Sequence, residues 1–359
     1  MRQGPLDLPR LELLRRQFGE RARWLMTQAE LRRLARTKFS RAESLFFERE
    51  ALEQASSEAL AEHRAERLDR LAPPGPVLDL GCGIGGDLLA LAARREVVAY
   101  ERDPHRAELA RANLRALGLN ATVHTGEFPT DLKAAAAFCD PARRRNGRRL
   151  LDPEQGDPPL SSLRALRVGL LAVKVAPGLE SVPEGLGMEL VGLPGECREA
   201  VLWSDCPGRR WGSFLDDRGW LELTSGPDPE ATGRLDPGAY LYDPEPTAVR
   251  ARALGSLAEE LEARPFDPQV AYLVGPHARQ HRLAACFELL EVLPFSLKRV
   301  QAAVRAAGWS RLEIKKRGHA LTPEELRRKL RLADSGGEGT LILTRQGDRP
   351  LALLARRIR

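Results

Sequence analysis

From Leu11 to Leu34 apolar positions recur at mixed intervals of three and four: Leu11, Leu13, Leu14, Phe18, Trp24, Leu25, Leu31 and Leu34. That period gathers them on one face of successive helices and leaves arginines on the other faces. Nothing up to Ala72 alternates at period two, so residues 1–72 are expected to form a helical cap. Ser56 or Ser57 would cap its helix through His63 and Arg64. Pro73-Pro-Gly-Pro76 then breaks the pattern and sets a boundary. Beyond it, short apolar runs alternate with helical stretches at the spacing of strand–helix–strand units. Strands are expected at 76–80, 96–101, 121–125, 134–140, 168–175, 188–193 and 198–203. The helix 104–118 starts on a proline and stops on Gly118, suited to a left-handed C-cap. Right-handed crossovers imply a parallel sheet covered on both faces, with ligands received at the carboxyl ends of its strands.

Residues 204–246 are rich in Gly, Pro and Asp, and read as a surface hairpin and then a linker ending near Asp243-Pro-Glu-Pro246. The remainder of the chain reads as a second α/β unit. It has helix 247–263, strands 270–274 and 287–293, helix 296–307, strand 311–315, helix 323–332, and strands 339–344 and 350–355. Thr322-Pro-Glu-Glu325 has the form of a capping box with proline at the first helical position. Three domains are therefore expected: 1–72, 73–245 and 246–359.

Composition narrows this picture only slightly. With 359 residues, 43% hydrophobic and 30% charged, the chain has the make-up of a soluble globular protein. No run approaches the roughly 18 apolar residues of a membrane span. The first ten residues lack an apolar signal-peptide core, so the cytoplasm is the expected compartment. Five cysteines lie scattered without a C-x-x-C pair, which argues against a disulfide framework or a metal site. The net charge of +6 invites a polyanion. However, 49 of the 56 basic residues are Arg and 7 are Lys, a bias that GC-rich coding also produces.

Chemistry enters at Val77-Leu-Asp-Leu-Gly-Cys-Gly-Ile-Gly-Gly-Asp87, a short strand, a glycine-dense turn and a helix start. Glycines let backbone approach a ligand where side chains would collide. Gly81, Gly83 and Gly86 fit the G-x-G-x-x-G spacing of dinucleotide sites, a weak signal alone. The acid two residues before the first glycine discriminates. This string resembles the first motif of class I S-adenosylmethionine (SAM) methyltransferases. The resemblance implies SAM as cofactor, bound by Asp79, Gly81, Cys82, Gly83, Gly85, Gly86 and Asp87. Glu101, ending the second strand, is placed to accept hydrogen bonds from ribose hydroxyls. Glu127 follows the third strand where such folds set an acid near the adenine amino group. Phe128 beside it either stacks on adenine or belongs to the core.

The fourth strand ends in Asp140-Pro141-Ala142-Arg143, followed by Arg144 and Arg145. It resembles the Asp-Pro-Pro-aromatic motif of methyltransferases acting on exocyclic base nitrogens. There the acid and a backbone carbonyl, fixed in direction by proline, accept hydrogen bonds from the target amine. Asp140, Pro141 and Arg143 are the catalytic candidates. Ala142 and Arg143 depart from the pattern, so stacking on a base must come from elsewhere or the target is another group. The arginine run either binds phosphate bidentately or is a solvated loop. The fifth strand ends Val173-Lys174-Val175-Ala176-Pro177-Gly178 without a cysteine nucleophile, which argues against transfer to a pyrimidine carbon. Direct in-line transfer to nitrogen or oxygen, driven by proximity and orientation, is expected instead.

Further strings widen the resemblance to nearly the whole chain. They are Lys38-Phe39, Glu53-Gln54-Ala55, Glu199-Ala-Val-Leu-Trp203, Ala271-Tyr-Leu, Leu293-Pro-Phe295, Ile314-Lys315-Lys316-Arg317-Gly318 and Leu343-Thr344-Arg345. Together with the glycine turn and Asp140, they resemble a bacterial family of class I methyltransferases with a C-terminal THUMP-like domain. A more distant similarity is to trimethylguanosine synthases, whose leading helices close over the substrate. The resemblance implies a Rossmann-like methyltransferase sheet with an N-terminal helical cap and a C-terminal α/β THUMP-like domain. THUMP domains bind RNA in tRNA-modifying enzymes. The implied activity is therefore methylation of a base nitrogen in tRNA or rRNA, with Lys38, Arg144, Arg145, Lys315, Lys316 and Arg317 as candidate RNA contacts. A methyltransferase of small molecules or proteins, and a non-catalytic RNA-binding scaffold, are the alternatives.

Overall fold

Helices occupy the stretch that lacked a period-two signal: α1 (Leu8–Phe18), α2 (Arg21–Ala35), α3 (Arg49–Gln54) and α4 (Glu58–Leu71). The computed structural model describes residues 8–142, 144–145, 148–330, 332 and 334–358. The chain forms two compact units, residues 1–187 with 201–208, and residues 188–200 with 209–359.

In the first unit, α4 buries Leu60, Ala61, Ala65 and Leu68, one stripe at three- and four-residue spacing. Phe39, Leu45 and Phe47 fill the turn after α2, with the Phe39 and Phe47 rings 5.6 Å apart. Two buried amides fix this cap. Gln28 accepts from Phe47 N at 2.9 Å and donates to Phe47 O at 2.7 Å. Asn113 accepts from Phe46 N at 2.7 Å and donates to Phe46 O and Ile84 O. Each of these amide side chains spends both its donor and its acceptor capacity on backbone, which favours a single docking geometry.

The sheet of the first unit is built from β1 (Val77–Leu80), α5 (Gly86–Ala92), β2 (Val97–Glu101), α6 (Pro104–Leu117), β3 (Thr122–Thr125) and β4 (Lys133–Cys139). After them come the two-residue pair β5 (Arg144–Arg145) and β6 (Arg148–Arg149), then α7 (Leu160–Arg164) and β7 (Arg167–Val175). Strands β7, β4, β1, β2 and β3 lie in that order and all run parallel. The central strands read as mostly apolar runs because both of their faces are covered; all four residues of β1, Asp79 included, are buried. Helix α6 ends as expected, with Gly118 in the left-handed region at φ +68°. Ser57 stands at the N-cap position of α4, but its hydroxyl makes no capping hydrogen bond.

The chain passes between units in β8 (Gly187–Leu193) and β9 (Glu196–Trp203). Within the second unit, β10 (Arg210–Asp216) runs parallel to β8, and β11 (Gly219–Thr224) returns antiparallel. The expected hairpin is present, turning between Asp216 and Gly219, but it is joined to β8 rather than lying on the surface, and Trp211 and Phe214 are both 1% exposed. The expected linker contains β12 (Tyr240–Pro244), whose short apolar centre, Leu241 and Tyr242, is fully buried between prolines and acids. The expected helix 247–263 is two helices, α8 (Pro246–Arg250) and α9 (Leu254–Glu260), since Arg252 takes φ +57° and ends the first.

The remaining elements are β13 (Arg264–Pro265), β14 (Leu273–Gly275), β15 (Ala284–Pro294), α10 (Leu297–Ala306), β16 (Trp309–Lys316), α11 (Pro323–Lys329), β17 (Gly337–Gln346) and β18 (Arg349–Ile358). They build a seven-stranded sheet ordered β13-β14-β12-β15-β18-β17-β16. Alternate residues of β17 and β18 serve two cores. Leu341, Leu343, Ala352 and Leu354 meet α10 and α11; Ile342, Leu353 and Ala355 meet Phe266, Tyr272 and Phe287. The Thr322 capping box is present in full, with Thr322 Oγ1 accepting from Glu325 N and Glu325 accepting from Thr322 N.

Candidate active site

Strand register brings the candidate residues of the first unit to one edge. Leu80 pairs with Tyr100 on β2 and with Cys139 on β4, so Gly81, Glu101 and Asp140 leave three neighbouring strands in one row. The turn beyond β1 needs glycine. Gly81 and Gly83 adopt φ +83° and +56°, and a Cβ at either would meet nothing within 4 Å. Those two residues border open space, whereas a Cβ at Gly85 would sit in ordinary contact with Ala110, 3.7 Å from its Cα. Backbone bonds hold the turn: Gly81 N and Cys82 N donate to Tyr100 O at 2.9 and 3.1 Å. Glu101 finishes it, accepting from Gly83 N and from Asp103 N at 2.8 Å each. A carboxylate shared between two backbone donors is fixed in position and keeps lone pairs to offer.

Four acids collect here. Asp79 is 1% exposed, and its Oδ2 has no hydrogen-bond partner. Burial holds its carboxyl well above the usual carboxylate range; Asp87, Glu101 and Asp140 push the same way and Arg64 opposes them. Asp87 is paired with buried Arg64, whose Nε lies 2.9 Å from Oδ1 and whose guanidinium sits over the Phe138 ring at 5.3 Å. Asp140 Oδ2 is 2.7 Å from Lys174 Nζ, which also donates to Ser56 Oγ at 2.9 Å. Two cations therefore answer Asp87 and Asp140, while Asp79 and Glu101 have no ion pair among the described residues. Burial pushes the Cys82 and Cys139 thiols well up, so neither is poised as a thiolate nucleophile. An open glycine-lined cradle with acid in excess fits a cationic ligand that carries ribose hydroxyls.

Comparison with known proteins agrees. A methyltransferase domain family matches residues 77–142, and a THUMP domain-like family matches residues 284–357. Two strains of Mycobacterium tuberculosis, CDC 1551 / Oshkosh and H37Rv, carry similar proteins named as uncharacterized S-adenosylmethionine-dependent methyltransferases. Each is 35% identical over 366 aligned residues, which span 96% of this chain and 95% of theirs. The chain belongs to this SAM-dependent methyltransferase family. A crystal structure of a candidate methyltransferase from Porphyromonas gingivalis W83 shares the fold, with TM-score 0.76 at 24% identity over 99% of this chain and 93% of that one. SAM is accordingly the cofactor.

The other candidates of the methyltransferase fall unevenly. Glu127 is exposed after β3, behind Gly126, whose N–H donates to Glu101 O at 2.9 Å; Phe128 is half-buried beside it. Pro141 is buried, and Ala142 is bridged to Asp157 by two backbone hydrogen bonds, which pins the chain just after Asp140. Arg143 lies outside the described residues, and Arg144 and Arg145 are described by their backbone alone, as β5. Three candidate RNA contacts have other work. Lys38 Nζ spends its three donors on the carbonyls of Leu52, Glu53 and Ala55, at 2.7 to 2.9 Å. In the second unit, Lys315 and Arg317 both pair with Asp243, at 2.7 and 2.9 Å. Lys316 is exposed and donates to Ala320 O at 3.3 Å. Sequence reasoning missed Arg64, Ser56 and Lys174. Lys174 alone carried a signal, as the single charge in the apolar run Leu170–Val175.

Among the described residues no helix is long and apolar enough to cross a membrane, and no three His, Cys, Asp or Glu are grouped to hold a metal.

Proposed function

We propose that this SAM-dependent methyltransferase acts on a base nitrogen of tRNA or rRNA by direct in-line transfer. The observation that carries the reading is the position of Asp140, one residue past β4 and one strand from Gly81. An acid there can accept a hydrogen bond from an amine beside the cofactor cradle, and buried Pro141 stiffens the backbone after it. The thiols nearest the cradle are held protonated by burial, which supports transfer without a covalent intermediate. The THUMP-like match over 284–357 supports RNA as the substrate class.

In this reading Asp79, Gly81, Cys82, Gly83, Gly85, Gly86, Asp87, Glu101, Glu127 and Phe128 hold the cofactor. Asp140, Pro141 and Arg143 face the acceptor, and Arg144, Arg145 and Lys316 reach the RNA backbone. The division of labour is a helical cap over 1–72, a transferase domain over 73–245 and an RNA-binding domain over 246–359. The test is incubation of the purified enzyme with methyl-labelled SAM and total RNA from a strain lacking the gene, and then nucleoside mass spectrometry. Label in one N-methylated nucleoside is the expected result. Label in protein or metabolite extracts instead of RNA would overturn the substrate half of the reading.

A further inference from the structure

Lys174 is 5% exposed in a strand whose neighbours are apolar, and an ammonium is costly to bury unless its partners are well placed. Its partners come from two other parts of the first unit. Register Cys139↔Val173 between β4 and β7 sets Lys174 beside Asp140, with Nζ to Oδ2 at 2.7 Å. Ser56 Oγ, 2.9 Å away, belongs to the loop between α3 and α4. That loop is itself shaped by Lys38, which gathers the carbonyls of Leu52, Glu53 and Ala55. It passes close to the glycine turn, where a Cβ on Gly86 would lie 3.6 Å from Ala55 Cβ. A hydrophobic stem would fill the space of Lys174 without the desolvation cost, so the charge itself calls for an explanation.

We propose that Lys174 is a positioning residue for Asp140. Its ammonium, braced by Ser56 of the helical cap, fixes one carboxylate oxygen and thereby sets the direction from which the acid meets the acceptor nitrogen. The inference rests on the role given to Asp140 above, and it makes the cap a contributor to the acceptor side of the site. Lys38, expected at RNA, acts in this chain by holding the loop that presents Ser56.

Other charged groups share the neighbourhood. Asp79 on β1 feels Asp140 together with Asp87, Glu101 and Arg64, and Asp157, paired with Arg102, also acts on the strand end at Cys139. The experiment therefore compares variants of Lys174, of its partner Ser56, and of Lys174 together with Asp140. With labelled SAM and total RNA from a strain lacking the gene, Lys174→Met is expected to lower kcat at least about tenfold. SAM affinity should stay within about twofold, since the cofactor turn is untouched. The acid limb of the pH–rate profile should move to higher pH, because a carboxylate that loses a neighbouring cation protonates more readily. Lys174→Arg should recover part of the loss, and Ser56→Ala should show a smaller loss in the same direction. The double variant Asp140→Asn/Lys174→Met should be no slower than Asp140→Asn. Unchanged kcat with an unmoved limb, or additive losses in the double variant, would overturn the proposal.

Should Lys174→Met fail to fold, Lys174→Arg and Ser56→Ala decide, and wild-type kcat in both would count against it. Should the wild-type enzyme leave RNA unlabelled, the base-nitrogen reading falls separately. The proposal is then tested without substrate, by carbon-13 titration of the Asp140 carboxyl. A midpoint about one pH unit higher in Lys174→Met supports it, and coincident curves overturn it.

Discussion

Two clusters of charge, one in each unit, are built in opposite senses. In the first unit four acids, Asp79, Asp87, Glu101 and Asp140, meet two cations, Arg64 and Lys174. A buried carboxylate oxygen, Asp79 Oδ2, is left without a hydrogen-bond partner. In the second unit a single acid, Asp243, takes both Lys315 and Arg317, and Arg317 adds hydrogen bonds to Ala271 O and Pro244 O and lies over the Tyr272 ring at 5.1 Å. The basic run that looks most like a polyanion site is largely spent on its own fold. The acid cluster, whose four members the sequence already singled out, retains unmet polarity in its interior. An unpartnered buried polar atom costs about 1–3 kcal/mol, a cost that binding of a complementary ligand would offset.

The largest effect expected from breaking the first cluster is at Asp140. Asp140→Asn removes the charge proposed to meet the acceptor and keeps the shape, so methyl transfer should fall about a thousandfold. Calorimetric SAM binding should be unchanged, and a loss of less than tenfold would remove Asp140 from the reaction. Next is Arg64→Met, which leaves the Asp87 side chain, 14% exposed, without the buried guanidinium that answers it. Removing one partner of a buried pair costs about 3–5 kcal/mol, to be read from urea unfolding. The cation–π contact with Phe138 would be lost as well.

Legibility from sequence obeyed the same divide. The central parallel strands of the first unit, β1, β4 and β7, are largely buried and appear as mostly apolar runs, and the register of β1 with β2 and β4 then aligns Gly81, Glu101 and Asp140. What sequence did not reveal is pairing across distance. Lys174 finds Asp140 34 residues away and Ser56 118 residues away, and Arg64 finds Asp87 across 23. No local pattern encodes such contacts. Strand β12 stayed hidden because only Leu241 and Tyr242 mark it amid prolines and acids, and the break in helix 247–263 rests on the backbone angle of Arg252. Lys38 read as an exposed cation because nothing local shows that three carbonyls converge on it.

Two smaller effects sharpen the contrast. Arg317→Met leaves Asp243, whose side chain is 12% exposed, with Lys315 alone, and should cost the second unit about 2 kcal/mol. Asp79→Asn should do the reverse in the first unit. The folded carboxyl of Asp79 keeps a proton that the unfolded chain has released, so stability falls as pH rises above the ordinary carboxylate range toward the raised folded value. The variant loses that slope and should be about 1 kcal/mol more stable at neutral pH, while binding SAM less tightly. Urea melts at pH 5 and pH 8, with and without SAM, check the sign. A wild-type protein equally stable at both would refute it.

The smallest effect separates the middle of the basic run from its ends. Side chains alternate along β16, so Lys315 and Arg317 share the face toward Asp243 while Lys316 points away to solvent. Lys316 thus keeps an exposed ammonium, the one we propose for a phosphate, tethered among the described residues by a long 3.3 Å hydrogen bond to Ala320 O. Lys316→Ala should weaken tRNA binding about two- to fivefold and flatten its dependence on log salt by about one unit, the signature of one lost phosphate contact. Lys315→Met should leave that slope alone and lower stability instead. Filter binding across a sodium chloride series measures both. Were the Lys315 variant to flatten the slope as much as the Lys316 variant, Asp243 would not be consuming the charge, and the opposition between the two clusters would fail at its basic end.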